Sequence, residues 1–234
     1  SKVAKCLFPV AGKPILDHIL DRLIAVGITE ITLIIGHLGE QVRTYCNKYS
    51  KIKFCFIEQG ERMGLGHAVY QGLDKSEEPV FIILGDTILE LDYSKFLSST
   101  HSAIGLEYVP DPERFGIVEL DNNKIVSFIE KPSNPPSNLA LMGIYYISSQ
   151  KDLSEGVKYL IDNDIRTKNE YQLTDAFGVM LNAGHQFVPF EIDCSLDCGI
   201  PETIFSTNKT LLDRKKENAI SKTSSIVNSD LTYC

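Results

Sequence analysis

The sequence predicts an α/β fold built around a largely parallel sheet, and three observations carry the prediction. Apolar runs rich in β-branched residues, ITLIIG at 31–36 and VFIIL at 80–84, read as strands buried on both faces. Helical patterns lie between the runs, so strand and helix alternate from 14 to 84, as in a sheet covered by helices on both faces. The chain has 234 residues, of which 43% are hydrophobic, enough for one large domain with a full core.

The elements follow in order. Ile15, Leu16, Ile19, Leu20, Leu23 and Ile24 form the apolar face of a helix over 14–26. Pro14 suits its first turn and Gly27 its stop. Residues 40–49 read as a helix, 52–57 as a strand and 66–73 as a short helix before the strand at 80–84. The texture then becomes β-rich, with strands at 102–109, 116–120, 124–129 and 141–147. Asp121-Asn122-Asn123 marks a hairpin turn between the second and third of these. Helices at 151–162 and 171–183, a strand at 186–192 and a helix over about 200–215 complete the pattern, and no internal repeat runs through 1–215.

Charge and composition exclude several roles. A net charge of −8 disfavours broad binding to nucleic acid or a membrane surface while leaving room for a local basic pocket. No apolar run approaches the ~18 residues of a membrane span, and no signal peptide is visible. The six cysteines form no C-x-x-C pair, which argues against zinc and thioredoxin-like chemistry and for reduced thiols in a cytoplasmic protein. G-x-G-x-x-G, Walker, G-x-S-x-G and H-E-x-x-H motifs are all missing. With no nucleophile–base pair to work with, the chemistry must rest on charge neutralisation and positioning.

Several segments could supply it. Asp86 follows a buried strand, where open α/β sheets bind ligands and a carboxylate can hold Mg²⁺ against phosphate. An Asx turn or helix cap at Thr87 explains it equally, and the local pattern favours the cap. Asp197 is a second acid after the last strand, with the same alternative. Lys5 and Lys13 flank an apolar segment and could neutralise phosphate, or simply be solvated. Gln59 to Ala68 follows a strand and opens a helix, and its glycines allow close backbone approach to a ligand. Gln59 could read a base edge with its amide. Glu130-Lys131-Pro132 ends a strand with adjacent acid and base.

Together these segments closely resemble the sugar-1-phosphate nucleotidylyltransferases. The resemblance is collinear from Ser1 to about Asp213 and rests on K-C-L-F-P-V-A-G-K-P-I-L, G-L-G-H-A, L-G-D, E-R-F-G-I-V-E-L-D, E-K-P, S-N-L-A-L-M-G-I-Y, N-E-Y-Q-L-T-D and L-D-C-G. It implies a Rossmann-like, mostly parallel mixed sheet flanked by helices, with an inserted β-rich sugar-binding part. It also implies Mg²⁺-dependent transfer of a nucleotidyl group from an NTP to a sugar 1-phosphate. UTP or dTTP and glucose 1-phosphate are the favoured substrates, and a homo-oligomer is compatible with this reading.

The resemblance assigns residues by position. Asp86 and Asp197 match the two metal-holding aspartates. Lys5 matches the lysine near the leaving pyrophosphate, Lys131 the lysine at the sugar phosphate, and Lys168 a basic residue that also meets it. Gln59 and Gly64 match positions that read the base. Gly116, Glu130 and the stretch from Leu141 to Gly143 match the sugar-hydroxyl contacts.

At both ends the chain departs from the family pattern. The family's first strand and its Gly-rich, Arg-containing phosphate loop are expected just upstream of Lys5. The 234 residues taken by themselves are therefore expected to show very low activity and an unstable sheet. Residues 216–234 read as a tail whose SSIVNSDLTYC run resembles the opening coil of a left-handed β-helix. The alternative function is a non-catalytic regulatory or scaffold relative that binds a nucleotide or sugar phosphate. A glycosyltransferase is disfavoured because Asp86 is followed by Thr87-Ile88, and a dehydrogenase because the dinucleotide-binding glycines are missing.

Overall fold

The computed structural model describes residues 2–214. The 216–234 tail lies outside them. A 3-10 turn (Lys5–Leu7) and a ribbon of β1 (Pro9–Val10) and β2 (Lys13–Pro14) lead into α1 (Ile15–Ala25). β3 (Glu30–Ile35), α2 (Gly39–Cys46), β4 (Lys53–Glu58), α3 (Leu65–Gly72) and β5 (Val80–Ile83) follow. Next come β6 (Thr87–Glu90), α4 (Tyr93–Leu97), β7 (Ser102–Tyr108), β8 (Gly116–Asp121), β9 (Lys124–Glu130) and β10 (Leu139–Ile147). The described chain ends with α5 (Gln150–Asp162), α6 (Leu173–Asn182), β11 (Phe187–Glu191), β12 (Cys194–Asp197) and α7 (Pro201–Asp213).

Local chemistry accounts for most boundaries. The apolar stripe of α1 is buried through Ile15, Leu16, Ile19, Leu20 and Leu23, and Gly27 leaves the helix at φ +84°. Ser149 caps α5 by accepting the Asp152 N–H at 3.1 Å. Asn122 and Asn123 both adopt positive φ, as a tight β8–β9 hairpin requires.

β10 organises the main sheet. One edge pairs with β7 along its length, while the other pairs first with β8 and then with β5. The change of partner falls at Gly143, whose φ of +73° marks a register shift in the strand. β11 extends the sheet beyond β7, and β9 extends it beyond β8. The sheet is mixed, as expected, but its parallel character is narrow. Only β7–β11 and β3–β4 are parallel pairs among the described strands; the others are antiparallel.

The strands expected at 31–36, 52–57 and 80–84 do not share one sheet. β3 bonds only to β4, and β5 only to β10. A cavity of about 1080 Å³ separates them, walled by apolar side chains that include Ile31, Leu33, Phe81 and Ile83. Neighbouring strands must approach to about 4.8 Å to exchange hydrogen bonds, so the gap leaves one edge of β3 and one of β5 unbonded. The central first strand implied by the resemblance has no counterpart among residues 2–214. β6, α4 and β12 are additions to the expected element list.

Two cores flank the sheet. One joins α1, β6 and α4 through Leu20, Ile88, Leu89 and Phe96. The other packs α5 and α6 on β7 and β10 through Ile104, Leu153, Val157 and Phe177. α1 and α2 are also clamped by a polar cluster. Asp17, 8% exposed, accepts hydrogen bonds from Tyr45, Lys48 and Tyr49, each at 2.7 Å.

Candidate active site

The expected site residues form three groups at strand ends. The first surrounds Asp86, which leaves β5 through Leu84 and Gly85. Lys5 Nζ lies 3.1 Å from its carboxylate across 81 positions of sequence. β6 pairs antiparallel with β12 so that Thr87 sits opposite Asp197, and the Cys198 N–H donates to the Asp86 carbonyl at 2.8 Å. The two aspartates thus stand at neighbouring strand ends. The Gly199 N–H holds the Asp197 carboxylate at 2.7 Å. A side chain at Gly199 would meet that oxygen at 2.8 Å and push the Asp197 carboxylate from this position. Between the two aspartates, burial first and then their charges push the Cys198 thiol up to about 11. The thiol therefore stays protonated and unreactive near neutral pH.

This donor set suits Mg²⁺. Two carboxylates provide hard oxygen ligands, and Mg²⁺ characteristically completes its shell with water and substrate phosphate. No group of three or more His, Cys, Asp or Glu able to hold an ion by itself occurs among the described residues.

The second group lies after β4. The Gln59 amide points to the Gly64 carbonyl at 3.4 Å, and Gly64 adopts φ +108° just before α3. Lys5, Gln59 and Asp86 line one end of the large cavity, which joins this group to the first.

The third group is built by the β8–β9 hairpin. Gly116 lies opposite Glu130 in the ladder, and Lys131 turns out of β9 at φ +42° with its N–H on the Phe115 carbonyl. The Glu130 side chain is 7% exposed, with one oxygen 3.5 Å from Lys131 Nζ. Its other oxygen accepts the Thr174 hydroxyl at 2.7 Å. A side chain at Gly116 would strike both Thr174 and Glu130.

The remaining expected residues are placed differently. The Gly143 carbonyl accepts the Leu84 N–H at 2.9 Å, which ties the β10 bulge to the segment carrying Asp86. The Leu141 side chain is buried in the second core, so only its backbone is left for a ligand. Lys168 sits at the exposed tip of a tight turn between α5 and α6, closed by backbone hydrogen bonds between Thr167 and Glu170. Thr174 belongs to the Q-L-T-D run but carried no individual assignment, because its contact with Glu130 spans 44 positions. Asp175 beside it is pushed above the ordinary carboxylate range by burial, against a lowering hydrogen bond from Thr167.

The chain is similar to several known proteins. The chain is 36% identical over 222 residues to the bifunctional protein GlmU of Methanocaldococcus jannaschii, matching 90% of this chain and 50% of that protein. It is 32% identical over 222 residues to the low-salt glycan biosynthesis nucleotidyltransferase Agl11 of Haloferax volcanii, matching 90% of this chain and 61% of that protein. The chain thus spans about half to three-fifths of these curated relatives. Among solved structures, a Bacillus anthracis protein assigned as a glucose-1-phosphate thymidylyltransferase and bound to sucrose superposes with a TM-score of 0.74 and 26% identity. That match covers 90% of this chain and 87% of the other. Residues 1–214, which include every strand end described above, match the nucleotidyl transferase family, and the chain belongs to that family.

Proposed function

We propose that the protein transfers a nucleotidyl group from UTP or dTTP to glucose 1-phosphate, giving an NDP-sugar and pyrophosphate. The observation that carries this reading is Lys5 paired with Asp86, with Asp197 at the neighbouring strand end and Gln59 on the wall of the same cavity.

The sugar phosphate oxygen is already anionic, so no strong base is needed to activate it. It forms a bond to the α-phosphorus of the NTP as the bond to the bridging oxygen of the leaving pyrophosphate breaks. The barrier is repulsion between anions and charge accumulating on the leaving group, which positioning and fixed positive charge relieve. Lys5 meets the leaving pyrophosphate, and Lys131 and Lys168 neutralise the sugar phosphate. Gln59 and the backbone at Gly64 read the base. Glu130, held by Thr174, accepts from sugar hydroxyls beside Gly116, and the backbone from Leu141 to Gly143 completes the sugar contacts. Asp86 and Asp197 would hold Mg²⁺, which when bound supplies positive charge to the phosphates.

The test is pyrophosphate release by the native-length protein with Mg²⁺, UTP or dTTP, and glucose 1-phosphate. Release that needs both substrates is the expected result. Silence across a panel of NTPs and hexose 1-phosphates would overturn the reading in favour of a non-catalytic relative.

A further inference from the structure

Gly64 and Gly66 lie against a segment far away in the chain. The Tyr171 N–H donates to the Met63 carbonyl at 2.8 Å, and the Gly66 N–H donates to the Tyr171 carbonyl at 2.8 Å. Side chains have no room in this bridge. A Cβ at Gly66 would lie 2.8 Å from the Tyr171 carbonyl oxygen, and one at Gly64 2.7 Å from the same atom. Gly64 also needs its positive φ, whereas at Gly66 space alone forbids a side chain.

The far side of the bridge is the turn that carries Lys168. Thr167 and Glu170 exchange backbone hydrogen bonds at 3.0 and 3.2 Å, with Lys168 and Asn169 both at positive φ between them. The base of the turn is locked: Tyr171 is 3% exposed, its hydroxyl donates to Asp164 at 2.8 Å, and that hydroxyl accepts from Arg166 at 3.0 Å. The turn therefore has little freedom except to move as a body with the Met63–Gly66 segment.

We propose that Gly66 is a positioning residue. It lets two backbone segments approach closely enough to bond, and so fixes the Lys168 turn in one register with the segment that reads the base. The kinetic part of this inference rests on the substrate assignment above, while its structural part does not.

The test is Gly66→Ala in the native-length protein, read in two ways. Amide exchange over 167–171 should accelerate at least about tenfold while β7 and β10 are unchanged. The KM for glucose 1-phosphate should rise about tenfold, and the substitution should cost less than about threefold once Lys168 is already alanine, because both changes act through one group. Unchanged exchange, or effects of Gly66→Ala and Lys168→Ala that multiply, would overturn the proposal. If Gly66→Ala fails to fold, Asn169→Val on the exposed turn tests the bridge from the other side. It should raise the KM for the nucleotide, and Asn169→Gly, which accepts the positive φ, should restore it. A nucleotide KM unmoved by Asn169→Val counts against the bridge. If the wild-type protein releases no pyrophosphate with any substrate pair, the substrate assignment fails and amide exchange alone decides the bridge.

Discussion

The half of the molecule built on β7, β10 and β11 has a bonded sheet under two helices, with Phe177, Phe187 and Ile104 almost wholly buried. The half built on β3 and β4 is a parallel pair whose inner edge faces a cavity of about 1080 Å³. The first half carries Glu130 and Thr174, fixed by close packing and a short hydrogen bond. The second contributes Gln59 and, with the start of the chain, Lys5, both at the rim of the cavity. The expected site residues are thus held by unequal means, one set by a closed core and the other by strand ends around a gap.

The largest expected effect tests that inequality directly. Phe177→Ala in the closed half should cost about 3–5 kcal/mol, since the surrounding core cannot collapse into the space. Leu33→Ala on the cavity wall should cost about 1 kcal/mol, because much of the contact it would lose is already missing. Urea unfolding of both variants checks the pair, and equal losses would break the comparison.

Next in size is Asp86→Asn. Removing one of two carboxylates should cut turnover at least about 100-fold, or about 2.7 kcal/mol of barrier. The thermal midpoint should barely move, because the Lys5 pair is exposed and such pairs contribute about 0–1 kcal/mol. Turnover within a few-fold of wild type would remove Asp86 from the metal assignment.

The third effect belongs to the α1–α2 clamp in the open half. Burial pushes the Asp17 carboxyl up, but hydrogen bonds from Lys48, Tyr49 and Tyr45 outweigh it and hold it below the ordinary carboxylate value. A depressed folded value means that the clamp's contribution is complete above the unfolded carboxyl's pKa of about 4 and is lost as pH falls through the folded value. Asp17→Asn should lower stability by about 1–3 kcal/mol at pH 7 and flatten the decline on acidification. Measuring stability from pH 7 down to about pH 3 checks both, and an unchanged acid slope would show that Asp17 is not the group responsible.

The parts legible in the sequence share a property. α1 announces itself by an apolar stripe closed by Gly27, β3 and β5 by continuous apolar runs, and the β8–β9 turn by Asp121-Asn122-Asn123. Each signal is complete within a few residues, where the helical or strand period and local turn chemistry decide the outcome. Asp86 and Asp197 could be picked out as acids after strands, but as isolated residues they looked like caps.

Most of what assembles the site lies between residues far apart in the chain. Most of the helices and strands, the hairpin turn and the supply of lysines, aspartates and glycines can be read from the sequence alone. Tertiary packing is what pairs β6 with β12 and so brings Asp197 to the strand end next to Asp86, carries Thr174 to Glu130, holds β3 and β5 apart and sets Gly66 against Tyr171. The pairing of four-residue strands more than a hundred positions apart depends on the surfaces that surrounding packing brings together. No local period encodes that choice, because loop closure and core packing settle it for the chain as a whole.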